Sequence, residues 1–129
     1  MTVMHPTKTR ILSVEGDKFI REVTKDLLEQ AGYEVTLAST VADGLRRATS
    51  ERFNLILICY TLLDGSGLEL CREIRQFDPH TPILFFVSAD EKLELSLEAG
   101  LCAQEFLEKP LGISDLVATV GRLLKVEQS

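Results

Sequence analysis

Leu55-Ile56-Leu57-Ile58-Cys59 is the most continuously apolar run of the chain. A five-residue run of this kind, closed by a polar loop, reads as a strand buried on both faces by crossover helices. It therefore belongs at the centre of a parallel sheet. Upstream, Ile11-Leu12-Ser13-Val14 is a second buried strand, halted by Glu15-Gly16-Asp17. Asp17 reads as the N-cap of a helix with Phe19, Ile20, Val23, Leu27 and Ala31 on its inner face, stopped by Gly32. Tyr33 to Ala38 alternates as a strand, and a helix carrying Val41, Leu45 and Ala48 starts after Ser39 or Thr40.

Downstream, the loop Leu62-Leu63-Asp64-Gly65-Ser66-Gly67 enters a helix bearing Leu68, Cys71, Ile74 and Arg75, ended by Asp78-Pro79. Ile83 to Val87 is again a buried strand. A helix over Glu91 to Ala99 stops at Gly100, Glu105-Phe106-Leu107 is a short strand, and Lys109-Pro110 leads to a last helix with Ile113, Leu116, Val117, Val120 and Leu124 inward. Strand and helix alternate five times, which calls for an α/β fold with a mostly parallel sheet, helices on both faces and right-handed crossovers. In such sheets, chemistry gathers at the carboxyl ends of the strands.

The 129 residues suffice for one domain, read as 9–125, with an N-terminal tail over 1–8 and a C-terminal tail over 126–129. Hydrophobic residues make up 45% and charged residues 26%, which excludes a disordered chain and a membrane-spanning one. With 14 basic against 20 acidic residues the net charge is −6, a poor match for nucleic acid or an anionic membrane. Cys59, Cys71 and Cys102 are odd in number and widely spaced, signalling neither a disulfide framework nor a zinc site. A reducing cytoplasm is the simplest home.

Over Thr9 to Leu124 the sequence resembles the CheY-like receiver domain of two-component response regulators. The resemblance rests on Ser88-Ala89 after the fourth strand, on Phe106 followed by Lys109-Pro110, and on Gly67-Leu68-Glu69-Leu70, Glu29-Gln30-Ala31-Gly32-Tyr33-Glu34-Val35 and Glu98-Ala99-Gly100. It implies a flavodoxin-like (βα)5 fold with strand order 2-1-3-4-5, and a cis peptide before Pro110. It also implies that the acidic pair after the first strand and an aspartate ending the third hold Mg²⁺ and accept a phosphoryl group. Here those positions are Glu15, Gly16 and Cys59, and Leu62-Leu63 replaces the family's Met-Pro.

Aspartyl phosphorylation needs a carboxylate nucleophile and Mg²⁺ needs hard oxygen ligands, whereas a thiol is soft. The sequence therefore predicts a degenerate phosphoacceptor pocket of Glu15, Gly16, Cys59, Ser88 and Lys109. No catalytic residue, enzyme activity or cofactor is expected, and Mg²⁺ binding should be lost or weak, with Glu15 and Asp17 the only remaining acids. Lys109 is read as the ion-pair partner of Glu15. Cys59 is either a small apolar filler or a redox-sensing thiol activated by Lys109. Ser88 and Phe106 match the family's switch pair, serving either as a switch or as fixed packing. Asp17 is read as a cap rather than a ligand, Asp64 as a turn former, and His5 and His80 carry no chemistry.

The function expected is a receiver-like signalling domain working through protein contacts. Its partners would be a histidine kinase, an output domain or a second copy, met on the face of the fourth helix, fifth strand and last helix, with Phe106 as an anchor. No nucleic acid or membrane partner is expected for this domain. A thiol-based redox sensor is the alternative, and a flavodoxin-like cofactor binder a minor one, weakened by the lack of a glycine-rich phosphate fingerprint.

Overall fold

β3 (Leu55–Cys59) is buried at all five positions, and the sheet is built around it. The computed structural model describes residues 8–88, 90–91, 105–108 and 112–128. In chain order its elements are β1 (Arg10–Val14), α1 (Lys18–Gln30), β2 (Glu34–Ala38), α2 (Val41–Ser50), β3, β4 (Thr61–Leu62), β5 (Gly65–Ser66), α3 (Gly67–Phe77), β6 (Ile83–Val87), β7 (Glu105–Glu108) and α4 (Gly112–Gln128). The main sheet runs β2-β1-β3-β6-β7, and every pairing in it is parallel. Counting only its five strands, this is the expected order 2-1-3-4-5, and the fold is the flavodoxin-like α/β sandwich.

Alternation along each strand divides the core in two. Leu12, Val14, Ile56, Ile58, Ile83, Phe85 and Val87 point to the face covered by α2 and α3, where they meet Leu70, Cys71 and Ile74. Ile11, Leu55, Leu57, Leu84 and Phe86 point to the other face, against Leu28 of α1 and Leu116, Val120, Leu123 and Leu124 of α4. Burying each such side chain stabilises the fold by about 1.5–3 kcal/mol. The helices start where hydroxyl and carboxylate caps allow: Asp17 accepts from Ile20 N at 3.0 Å, Thr40 Oγ1 from Asp43 N at 3.0 Å and Ser66 Oγ from Glu69 N at 3.2 Å. After α1 the chain turns at Gly32 with φ 99°, a left-handed conformation suited to glycine.

Several expectations need correction. Phe19, read as part of the inner face of α1, is 73% exposed, because Thr24 and Leu28 centre the buried stripe and the first-turn ring lies off it. Val117 is likewise turned outward beside buried Leu116 and Val120. The two-residue strands β4 and β5 pair antiparallel within what reads as a loop, and α4 continues to Gln128, into the stretch read as a tail. Cys71 is in a disulfide, which the wide spacing of the cysteines along the chain does not reveal. Asp90 and Glu91 are helical, while the rest of the expected fourth helix lies outside the described residues.

Candidate functional site at the carboxyl ends of the strands

The ends of β1 and β3 open into a cavity of about 390 Å³ lined by Glu15, Gly16, Asp17, Ile20, Cys59, Thr61, Leu62, Leu63 and Glu91. Glu15 follows β1 and is 4% exposed, with its N–H donating to Ala38 O at 3.0 Å. Arg21 of α1 reaches back to Glu15 O at 2.9 Å, fixing the turn between strand and helix. Gly16 has no positive φ. A Cβ built there would meet nothing nearer than Leu63 Cγ at 3.7 Å. Backbone and space thus both admit a larger residue at Gly16.

Cys59 ends β3, is 5% exposed and is not disulfide-bonded. Just beyond it the chain is tightly folded on itself. Gly67 N donates to Tyr60 O at 2.6 Å, and a Cβ on Gly67 would stand 2.3 Å from Cys59 O. Only glycine lets α3 begin so close to the strand end. Asp64, in the same loop, does more than form a turn: its carboxylate accepts from Val41 N at 2.6 Å and Ala42 N at 3.1 Å, completing the start of α2. The Val41 amide is the main reason its carboxyl lies below the ordinary value of 3.8, with Ala42 adding to it against a partial loss of hydration.

Ser88, at the end of β6, is half-buried. Its N–H donates to Glu91 Oε1 at 2.9 Å and its Oγ accepts from Glu91 N at 3.2 Å, a reciprocal capping box. The other oxygen of Glu91 accepts from Thr61 Oγ1 at 2.7 Å. Phe106 is half-buried and stacks on Phe85 of the core, with centroids 6.0 Å apart and planes 11° apart. The large apolar side chains that do stand exposed are Phe19, Leu63, Phe77 and Val117.

The sequence-predicted residues Glu15, Gly16, Asp17 and Cys59 thus meet at one cavity, with Ser88 reaching it through Glu91. Lys109, Pro110 and Ala89 lie outside the described residues, and with them the Glu15 ion pair and the cis peptide. Glu91 was missed, although Ser88-Ala89-Asp90-Glu91 carries the capping-box spacing in plain view. No signal in the sequence links Asp64 to an α2 start 22 and 23 residues away.

Residues 11–121 match the response regulator receiver domain family. The chain belongs to that family. Among curated relatives, the transcriptional regulatory protein CrdR of Helicobacter pylori is 32% identical over 114 residues, covering 88% of this chain and 54% of its own. The KDP operon transcriptional regulatory protein KdpE of Escherichia coli is 34% identical over 118 residues, covering 91% and 52%. This receiver domain therefore spans about half the length of the curated relatives it matches. Among solved structures, a CheY-like receiver domain protein of Methanospirillum hungatei superposes with a TM-score of 0.84 at 32% identity, covering 95% of this chain and 98% of its own. The response regulator TrrA of Thermotoga maritima, solved in complex with Mg²⁺-BeF, gives 0.81 at 27% identity, covering 89% and 98%.

The Mg²⁺ that the family implies asks for hard oxygen ligands around the strand ends. In this receiver domain Gly16 offers no side chain, Cys59 offers sulfur, and Asp17 is committed to capping α1. Among the described residues no group of three or more His, Cys, Asp or Glu is placed to hold a metal. Glu15 and Glu91 are the other carboxylates that line the cavity. No helix among the described residues is long and apolar enough to cross a membrane.

Proposed function

We propose that this receiver domain is a non-enzymatic signalling module that does not take a phosphoryl group on the usual site and acts through protein contacts. One observation carries the reading: Cys59, at the end of the central strand and outside any disulfide, faces the same cavity as Gly16. A thiol there cannot form an acyl phosphate, and without two of the three acidic positions the pocket lacks the carboxylates that would bind Mg²⁺. Incubation with acetyl phosphate and Mg²⁺ should leave the intact mass unchanged, and beryllofluoride should not bind. A stable phosphate adduct would overturn the reading. In the double variant Gly16→Asp/Cys59→Asp, where the cavity has room for both carboxylates, beryllofluoride binding should appear.

The unit is read as residues 9–125. Its partners are a histidine kinase, an output domain of the kind that makes its relatives transcriptional regulators, or a second copy. The contact face is that of the expected fourth helix, β7 and α4, where Val117 is 37% exposed. Because Phe106 stacks inward on Phe85, its part in such a face is to set the packing behind it. A cytoplasmic location is in keeping with the family, while a disulfide at Cys71 removes the argument from cysteine usage. The second reading, a thiol redox sensor, draws on Cys59 lining an open cavity outside any disulfide. Mild peroxide should then oxidise Cys59 before other residues, and an unmodified Cys59 would dispose of it.

A further inference from the structure

Glu91 joins three pieces of chain through one carboxylate. Its Oε1 holds the Ser88 N–H at the end of β6, its own N–H is held by Ser88 Oγ, and its Oε2 holds the Thr61 hydroxyl in β4, 30 residues away. The capping box alone would secure the start of the helix. The bond to Thr61 does something else: it ties that helix start to the loop after β3, and both of its partners line the cavity that Cys59 also lines.

We propose that the Thr61–Glu91 hydrogen bond is a latch that sets access to the cavity and to Cys59. With the latch closed, the β4–β5 loop and the helix start form one wall, and Cys59 is 5% exposed. With it open, the loop carrying exposed Leu63 can separate from the end of β6 while the capping box stays intact. The latch rests on these hydrogen bonds and not on the phosphate-independent reading, and the two are measured by different signals.

The test is iodoacetamide labelling of the native chain, read at Cys59 by peptide mass spectrometry. A hydrogen bond to a charged acceptor shifts a local opening equilibrium by up to about tenfold, so Thr61→Val and Glu91→Ala should each label about five to ten times faster than wild type. The double variant should label no faster than Glu91→Ala alone. Glu91→Gln, whose amide can accept from Ser88 N–H and donate to Thr61 Oγ1, should stay within about twofold of wild type. Labelling of Thr61→Val at the wild-type rate would overturn the latch. So would an acceleration matched by an equal fall in global stability in urea, because the opening would then be general unfolding.

Discussion

The two ends of the sheet each carry a cavity of similar size, about 390 Å³ at the carboxyl end and about 420 Å³ at the amino end, yet different contacts hold them. At the amino end, Arg10 donates to Glu51 at 2.6 Å and to Arg52 O at 3.0 Å, lies over the Phe53 ring at 5.0 Å, donates its N–H to Asn54 Oδ1 and accepts from Asn54 N at its carbonyl. Asp78 closes the next turn by accepting from His80 N and from the N and Oγ1 of Thr81. Burial pushes the Asp78 carboxyl up, but these donors, with Arg75 nearby, outweigh it and leave its pKa below 3.8. The carboxyl end adds a close backbone approach, that of Gly67 to Cys59 O, to the side-chain hydrogen bonds of Asp64 and Glu91, and Glu15, Gly16, Asp17 and Cys59 face its cavity. One end is tied together by an arginine and an aspartate, while the other turns on a glycine that leaves no room for a Cβ.

Four substitutions sharpen that contrast. Gly67→Ala strikes the carboxyl end hardest, since its Cβ would sit 2.3 Å from a backbone oxygen. It should lower stability in urea by about 3 kcal/mol or more, and a loss under about 1 kcal/mol would mean that the strand end yields easily. At the amino end, Arg10→Ala removes a partly exposed ion pair, a bond to a carbonyl and ring contact together. A loss of about 1–2 kcal/mol is expected, with a part that shrinks in high salt.

A smaller effect is expected of Asp64→Asn, and its mark is pH dependence. Because the folded pKa lies below 3.8, the stability Asp64 contributes is fully present above that value and is lost as pH falls through the folded pKa. Wild type should therefore lose more stability than the variant between pH 7 and pH 3 in thermal melts, and parallel curves would remove the carboxylate from the account of the α2 start. Gly16→Asp should be the mildest, within about 0.5 kcal/mol, given contacts of 3.7 Å or more at its Cβ. A large loss would show that glycine is required by the turn after all.

Strands β3 and β6 were legible residue for residue, because Leu55–Cys59 and Ile83–Val87 are continuous apolar runs between polar breaks. So was the placing of Glu15, Gly16 and Cys59 in one cavity, which follows from parallel strands ending at the same edge. Phe19 was misread because a helical stripe is wider than one residue per turn and its edges are settled by packing. The β4–β5 pair escaped because two-residue strands have no period to detect. Asp64 at the start of α2 depends on two loops meeting in space, which no local pattern encodes. The capping box at Ser88 and Glu91 was present in the sequence, and only its extension to Thr61 required the fold.

The pairing of Arg10 with Asn54 joins residues 44 positions apart. β1 cannot take its place between β2 and β3 until that long loop has closed, an entropic barrier that helix formation does nothing to lower. Until then Leu55–Cys59, apolar throughout and without charge, waits unpaired in a collapsing chain. Folding should thus be slower than for a helical bundle of the same length, and the strand that forms the heart of the finished sheet is the segment most apt to aggregate on the way to it.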